Sequence, residues 1–590
     1  MTIQTQDIQE ISKTKIPYSD LALEDWLRLI PTAKIIAFDT ETTGLNVYDG
    51  TDSILGFSIA FNTDLGIVAD YFPVAHVSGP NLENEHWHRI LSEVVKKPLI
   101  MHNAVFDTTV LANLGFHVER FYDTMKLDHL INENKFSYSL DDTTERWLGY
   151  RGKEKSAMFT AGLFAYGWAG MPSGLMYDYA KADASITLQA MGAMSKSPEF
   201  TKGLVKSWQD IEGPTIGLLA KMRQRGVRIN TPVCKEEETK GNKRMKEILD
   251  EFGTNTVGPK FLTEVFHKQL GLPEIRNKKG KITFDKDAMK RYELMLERKA
   301  GDNPVANRVL EYRGWQKSVS GYYLPYQRFV SKDGRLRAEY KPHGTVTGRF
   351  SCANPNLQQI PKETTKEWNN RVKGCLIGGD GFRLWELDYS QLEFRLAASA
   401  SKEERLLSVF NDGSRDIFTE MASHLGMERQ ATKTLTYSIQ YGAGKQRIQD
   451  VFGVTEYEAE DIIENFYAQY PMLRKASSYF SRQAKSKGHV EIWSGRRRHF
   501  ANPQKEYYKA FNSFIQGGAA DIVKKVMVDC YREVDNDEEC RLLLQVHDSL
   551  VWEIKEGREE YYLPRIAEVM TRPSEDFGVK LDVDAHAWSK

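Results

Sequence analysis

FRLWELDYSQLEFR (382–395) opens as an apolar strand candidate and carries an acid, Asp388, close to the strand's end. A second hydrophobic strand candidate, RLLLQVHDSLVWEI (541–554), carries Asp548. Between them the texture is helical, including a stretch from about Glu428 to Tyr441. Along one face of that helix Arg429, Lys433, Tyr437 and Tyr441 recur every fourth residue. Two cations a turn apart suit a triphosphate, and a ring one turn further on can stack on a base or sugar.

Working outward, the first half opens with AKIIAFDTETTGL (33–45), an apolar strand running into acids and a Thr-Thr-Gly turn. Further strand candidates follow at SILGFSIAF (53–61) and KPLIMHNAVFD (97–107), with helix-like segments between. Residues 1 to about 200 therefore read as an α/β domain, and the chain as an α/β multidomain protein. From about 205 to 330 helical periodicity dominates, with solvated charged faces such as CKEEETKGNKRMKEILDEF (234–252).

Asp39 and Glu41 stand two apart on a strand, so both side chains leave the same face. Tyr179 and Asp183 are four apart in YAKAD, which on a helix puts ring and carboxylate on one face. Asp107 ends the HNAVFD segment. Four acids converging on one point need cations, and two Mg²⁺ or Mn²⁺ ions are the expected partners.

At 590 residues the chain is too long for one core, so several domains are expected. With 41% hydrophobic and 27% charged residues, disorder is excluded. The net charge of −1 excludes a polybasic coat protein but not a local nucleic-acid groove. The five cysteines (Cys234, Cys352, Cys375, Cys530 and Cys540) form no CxxC pair, so neither a disulfide framework nor a zinc site is expected. No apolar run reaches membrane-spanning length, and the start MTIQTQDIQEISKTK has no apolar signal core. A cytoplasmic protein is the expectation.

The ordered set FDTET, N-x-x-x-D (Asn103, Asp107) and Y-x-x-x-D resembles the proofreading 3′→5′ exonucleases with a DEDDy site. DYSQLE, RxxxKxxxYxxxYG and VHD, in that order, resemble motifs A, B and C of the family A DNA polymerases, bacterial DNA polymerase I type. The likeness extends through TVTGRFSCANPNLQQIP (345–361), YPMLRKA (470–476), GHVEIWSGRRRHF (488–500) and NSFIQGGAADIVK (512–524). The resemblance implies an RNase H-like exonuclease domain at 1–204 and a right-hand polymerase domain at 205–590. Within the latter it implies a thumb at about 205–330, a palm at about 331–400 and 500–590, and fingers at about 401–499.

The resemblance also assigns roles. Asp388 and Asp548, with the Tyr389 carbonyl, would hold two Mg²⁺ (or Mn²⁺) ions for nucleotidyl transfer. Arg429 and Lys433 would grip the triphosphate, Lys433 giving a proton to pyrophosphate. Tyr437 would line the sugar pocket, Tyr441 would stack near the template base, and Gln391 would join the nucleotide site. Arg349, Asn512, Gln516 and His547 would touch the primer terminus and minor groove, and Glu393 would block a 2′-hydroxyl. In the exonuclease, Asp39, Glu41 and Asp183 would hold metal, Asp107 would assist through the second metal's shell, Tyr179 would orient water, and Asn103 would contact substrate. The implied partners are primer–template DNA, dNTPs and a single-stranded 3′ end, with a monomer acting in DNA replication.

Departures from the pattern are Tyr437 for a common phenylalanine, Ser438 for glycine, and Tyr508 for arginine with Lys509 beside it. Ser549 replaces the glutamate common after the motif C aspartate, so a third carboxylate is expected to be missing there. Residues 311–350 carry a surplus of about five positive charges (Arg313, Lys317, Arg328, Lys332, Arg335, Arg337, Lys341, Arg349). Interleaved with Trp315, Tyr322, Tyr323 and Tyr326, they read as a phosphate-tracking surface, and Arg496–Arg498 as a second patch. Only some 35 residues precede Asp39, so no 5′-nuclease domain is expected, an economy that resembles phage replicative polymerases. The competing reading is a 3′→5′ exonuclease with a non-catalytic, DNA-binding polymerase-like half.

Overall fold

The structure is a computed structural model that describes residues 23–151, 157–277, 279–300, 304–362, 367–369 and 371–588. The N-terminal stretch examined for targeting signals lies outside the described residues. Among the described residues no helix is long and apolar enough to cross a membrane.

The first module is built on a five-stranded sheet of β1 (Ile36–Thr42), β2 (Ile54–Thr63), β3 (Gly66–Pro73), β4 (Leu99–Met101) and β5 (Phe121–Asp123). Its order is β3-β2-β1-β4-β5, the first three antiparallel and the last two parallel to β1, which is the RNase H-like arrangement. Three helices matter for function: α1 (Ala104–Asn113), α2 (Thr124–Ile131) and α3 (Ser173–Met194). The last packs across β1, β2 and β3 through Ala180, Ala184 and Leu188, small or slender residues that let it approach the sheet.

The segment HNAVFD is not the strand its apolar look suggested. The strand stops at Met101, Asn103 turns left-handed (φ 75°), and α1 begins at Ala104. Buried Asp123 causes this. Its carboxylate accepts from Asn103 N (3.1 Å), Ala104 N (2.9 Å), Met125 N (2.9 Å) and Lys126 N (3.3 Å), capping α1 and α2 together.

Helix 213–225 lies against both α1 and the second module, and one apolar core runs unbroken from Trp26 to Trp588. Beyond it α4 (Thr231–Phe252) and α5 (Val305–Ser318) project together, with a separate small core of Leu262, Phe266, Met289 and Tyr292. The second sheet is antiparallel: β6 (Phe382–Tyr389), β7 (Cys540–Val546), β8 (Ser549–Lys555) and β9 (Val583–Ala587), in the order β7-β8-β6-β9. Against it stand α6 (Leu392–Ser401), α7 (Arg429–Gln440) and the deeply buried α8 (Ala510–Glu533).

Arg496–Arg498 form no DNA-facing patch. They close a charged seam between the modules. Arg496 is buried on Asp521 (3.2 Å), Arg498 on Glu133 (2.8 Å), and Arg497 pairs with Glu199 (2.8 Å). His499 stands between Glu133 (3.0 Å) and Glu199 (3.2 Å). At the centre, buried Glu212 faces Lys524 (2.6 Å) and Lys126 (3.4 Å). Burial, which alone would raise it, is outweighed by the charges of Lys126, Lys524 and Arg496, and the Glu212 carboxyl is pulled down to about 2. Removing it leaves buried Lys524 with only Asp521 (3.4 Å), and leaves buried Lys126, which burial already pulls down to about 7, with no carboxylate beside it among the described residues. Glu212→Ala should therefore lose roughly 3–5 kcal/mol, read as a lower denaturant midpoint at unchanged slope. An unmoved midpoint would mean the cations escape to water.

The basic stretch 311–350 is also less exposed than its composition suggests. Trp315, Tyr322, Tyr323 and Tyr326 are buried in the core and cannot meet bases. Arg313 donates to the Phe284 carbonyl, Arg335 meets Glu553 (3.5 Å), Arg337 meets Asp333 (2.5 Å) and Lys341 meets Glu339 (3.3 Å). Lys317, Arg328 and Lys332 stay exposed, so the available charge is about half of what counting implied.

Candidate active sites

Two clusters of carboxylates form, one in each module. In the first, β1 presents Asp39 and Glu41 from one face, and α3 brings Asp183 against them. Oxygen atoms of all three lie within 4.8 Å of one another. Glu41 and Asp183 are buried, while Asp39 is half-buried at the opening. Tyr179 lies one turn before Asp183, stacked on Phe159 at 4.2 Å with Trp168 edge-on at 5.7 Å. Burial and the charges of Asp183, Glu41 and Asp39 push its hydroxyl far up, so it stays protonated and available as a donor. Three hard oxygen donors this close fit a divalent cation of the Mg²⁺ or Mn²⁺ kind.

Asp107 does not join them. Its carboxylate accepts from Thr40 N (3.1 Å) and Thr40 Oγ1 (2.6 Å). Strand alternation turns the Thr40 side chain away from Asp39 and Glu41, and the Asp123 cap fixes α1 in the register that holds Asp107 there. Burial, opposed by the Thr40 bonds and reinforced by the Asp123 charge, raises the Asp107 carboxyl to about 7. Three carboxylates thus stand together, and Asp107 is held on Thr40 outside that cluster. Asn103 is the left-handed residue ahead of α1, its amide bound to Asp123.

In the second module β6 pairs with β8 so that Asp388 stands opposite Ser549, directly after Asp548. Tyr389 N also faces the Asp548 carbonyl at 3.5 Å. The result is a cleft of about 730 Å³ whose walls include Asp388, Asp548, Tyr389, Gln391, Glu393, Arg349, Tyr437, Tyr441 and His547. Burial and the charge of Glu386, partly offset by Lys362, with Asp548 and Asp584 adding, push Asp388 up to about 6. Such crowding of acids is what a bound cation would relieve.

Glu393 is held firmly. Arg349 donates to one oxygen while also reaching Asp548 (3.2 Å), and the Tyr441 hydroxyl donates to the other (3.2 Å). Burial still raises its carboxyl despite the Arg349 charge. The Tyr437 and Tyr441 rings lie 6.5 Å apart and 23° from parallel beside it. Gln391 and His547 both have left-handed backbones (φ 60° and 54°), as does Asn103 in the other module. Such conformations cost about 1–3 kcal/mol each away from glycine and gather at functional sites. The buried Gln391 Oε1 has no hydrogen-bond partner within the chain.

Lys433 and Arg429 do not reach the cleft wall. They lie one and two turns back along α7, roughly 6 Å per four residues. Arg429 is held by Asp416 through Nε (2.9 Å) and Nη2 (2.8 Å), and Lys433 lies over Phe418 at 5.6 Å. Asn512 opens instead on a separate cavity of about 280 Å³ under α7, shared with Gln440, Tyr508 and Phe511. Gln516 follows one turn later on α8, half-buried.

Besides Asp388, Asp548 and Glu393 the cleft wall carries a further acid, Glu386, while position 549 itself supplies no carboxylate, as its serine implied. Ser549 Oγ donates to Glu386 Oε1 (2.9 Å), and Glu386 Oε2 takes Lys373 Nζ at 2.6 Å. The carboxylate comes from the neighbouring strand. Glu386 and Asp388 are two apart on β6, the same spacing that paired Asp39 with Glu41, so the sequence held the signal. Lys362 and Lys373, both in the cleft wall, carried no such signal.

Comparison with known proteins places these clefts. Residues 231–589 match the family model described as DNA polymerase family A, and residues 15–198 match one described as 3'-5' exonuclease. The chain is 26% identical to DNA polymerase I of Rhizobium leguminosarum over 96% of its length and 60% of that protein. It is 28% identical to DNA polymerase I of Chloroflexus aurantiacus, covering 95% and 62%. Against the thermostable DNA polymerase I of Thermus filiformis identity is 31% over 63% of this chain and 47% of the relative. The chain thus spans about 60% of the length of the first two relatives. Among solved structures, the POL domain of Pol1 from M. smegmatis, in complex with DNA primer-template and dNTP, superposes with a TM-score of 0.81 at 22% identity. That match covers 97% of this chain and 99% of that one, and it speaks for the fold. The polymerase-family match takes in the whole second sheet and most of the chain, and on that ground the chain belongs to DNA polymerase family A.

Proposed function

We propose that the chain is a template-directed DNA polymerase that adds deoxynucleotides to a primer 3′ end and proofreads with a 3′→5′ exonuclease. One observation carries this reading. Asp388 at the end of one strand and Asp548 in the turn of the neighbouring hairpin come from distant parts of the chain into one cleft, with Glu393 locked beside them. The domain division proposed is exonuclease at 1–204 and polymerase at 205–590, with thumb, palm and fingers bounded as the sequence implies. Its partners are primer–template DNA, dNTPs and a single-stranded 3′ end, and it works as a cytoplasmic monomer in DNA replication.

Asp388, Asp548 and the Tyr389 carbonyl fit a pair of Mg²⁺ ions, with Mn²⁺ able to substitute, and Asp39, Glu41 and Asp183 fit a second such site. When bound, these ions lower the pKa of the attacking hydroxyl or water and stabilise the leaving oxygen. The chain does the rest. Arg349 and Tyr441 hold Glu393 where a 2′-hydroxyl would sit. Tyr437 forms the sugar-side wall. Closure of α7 carries Lys433 and Arg429 down to the triphosphate, and Lys433 gives a proton to pyrophosphate. In the other module the Tyr179 hydroxyl orients the attacking water.

Primer extension with four dNTPs and Mg²⁺ tests the reading, and a wild-type chain that cannot extend would defeat it. The gate has its own test. Glu393→Ala should raise ribonucleotide incorporation roughly 100-fold relative to deoxynucleotide, because both a steric block and a buried anion leave the sugar pocket. Unchanged sugar selectivity would refute the assignment.

A further inference from the structure

The loop that delivers Arg349 to the polymerase cleft is tied down from the exonuclease module. Residues 342–349 form no regular strand or helix, yet their carbonyls are taken one after another by buried donors. Lys126 Nζ donates to Pro342 O (2.7 Å), His129 Nε2 to Thr345 O (2.9 Å) and Arg496 Nη2 to Thr347 O (2.9 Å). Thr345 Oγ1 then donates to Arg349 O (2.7 Å). Gly348, left-handed at φ 85°, lies so near the Arg496 guanidinium that a Cβ would stand 2.8 Å from it. Both Lys126 and His129 belong to α2 and are fully enclosed.

The chemistry of the contact is specific. A carbonyl only accepts, so His129 Nε2 must carry the proton. Its other nitrogen, Nδ1, faces Lys126 Nζ at 3.5 Å and presents its lone pair to the ammonium. Burial and the Lys126 charge hold the imidazole well below its usual range, in keeping with a neutral ring. Glu212 in turn neutralises Lys126. An unbroken line therefore runs from Glu212 through Lys126 and His129 to Thr345, and from there to Arg349, Glu393 and Asp548.

We infer that Lys126 and His129 of the exonuclease module are positioning residues for nucleotide incorporation, bracing loop 342–349 so that Arg349 holds Glu393 and Asp548 in place. The inference rests on the polymerase reading above. A merely structural role would lower stability alone; a bracing role changes sugar selectivity, because Glu393 depends on Arg349 for its position.

The test uses the full chain with His129→Ala and His129→Gln, whose amide can donate from nearly the same place as Nε2. Single-turnover extension on a primer–template with dNTP and rNTP gives rate and apparent Kd separately. Amide hydrogen exchange over 345–350 is measured in parallel, and degradation of a single strand reports on the fold of the first module. In His129→Ala, selectivity for dNTP over rNTP should fall about tenfold, with faster exchange at 345–350 and degradation within twofold of wild type. His129→Gln should recover most of both losses. Wild-type selectivity and exchange in His129→Ala, or a glutamine variant as impaired as the alanine one, would overturn the inference. A wild type unable to extend would defeat the polymerase reading instead, and exchange at 345–350 would still decide the bracing.

Discussion

Asp388→Ala should lower primer extension by roughly 10,000-fold while degradation of a 3′-labelled single strand continues near the wild-type rate. Asp388 stands near the end of β6, where that strand is paired with β8 on one side and β9 on the other, so its backbone is fixed and truncation moves little else. Glu386 and Asp548 remain, but Glu386 is engaged by Lys373 and Ser549 and is not free to replace it. Stability should not suffer. A carboxyl whose folded pKa lies above its unfolded value is an ionised group the fold disfavours, so above the unfolded pKa it subtracts stability. Removing it should leave the unfolding midpoint unchanged or higher. Extension within tenfold of wild type would show that the cleft is not the polymerising centre. A joint loss of extension and degradation, with a lower midpoint, would point to unfolding.

The mirror experiment has a comparable size. Asp39→Ala should reduce 3′→5′ degradation by several thousandfold and leave extension of a matched primer intact. Asp39 is the most exposed of the three clustered acids, half-buried where Glu41 and Asp183 are buried. Its loss leaves two carboxylates, too few hard donors to fix two cations. Elongation from a mismatched 3′ end separates the two activities further: the variant should stall or extend the mismatch where wild type excises it. Degradation that persists in Asp39→Ala would place hydrolysis elsewhere in the chain.

What was legible in the sequence is what depends on local period. Asp39 with Glu41, and Tyr179 with Asp183, follow from strand and helix spacing, and the elements formed as read. The strand candidate carrying Asp388 formed, but 541–554 is not one strand: it is a hairpin of β7 and β8 whose tight turn at His547–Asp548 holds the acid, and β8 lies beside β6. What failed depends on contacts across the chain. The strand read into HNAVFD is cut short by Asp123, which caps two helices and makes that segment a helix start. Arg496 and Arg498 look like DNA-facing cations until Asp521 and Glu133 are seen against them, one a helix away and the other in a different module. The tyrosines of 322–326 are amphipathic by composition alone, and packing put them inside. Glu386 differs from these, since period two on β6 pointed to it all along.

The charged seam also bears on how the chain is made. Glu212 leaves the ribosome 312 residues ahead of Lys524, its closest cation. At roughly 5–20 residues per second, that is a wait of roughly 15–60 s. Hydrated charges tolerate such a delay, whereas an equally large apolar face would invite a neighbouring nascent chain to stick. Beside the apolar core that the two modules share, the ionic part of their joint is one that the growing chain can leave open.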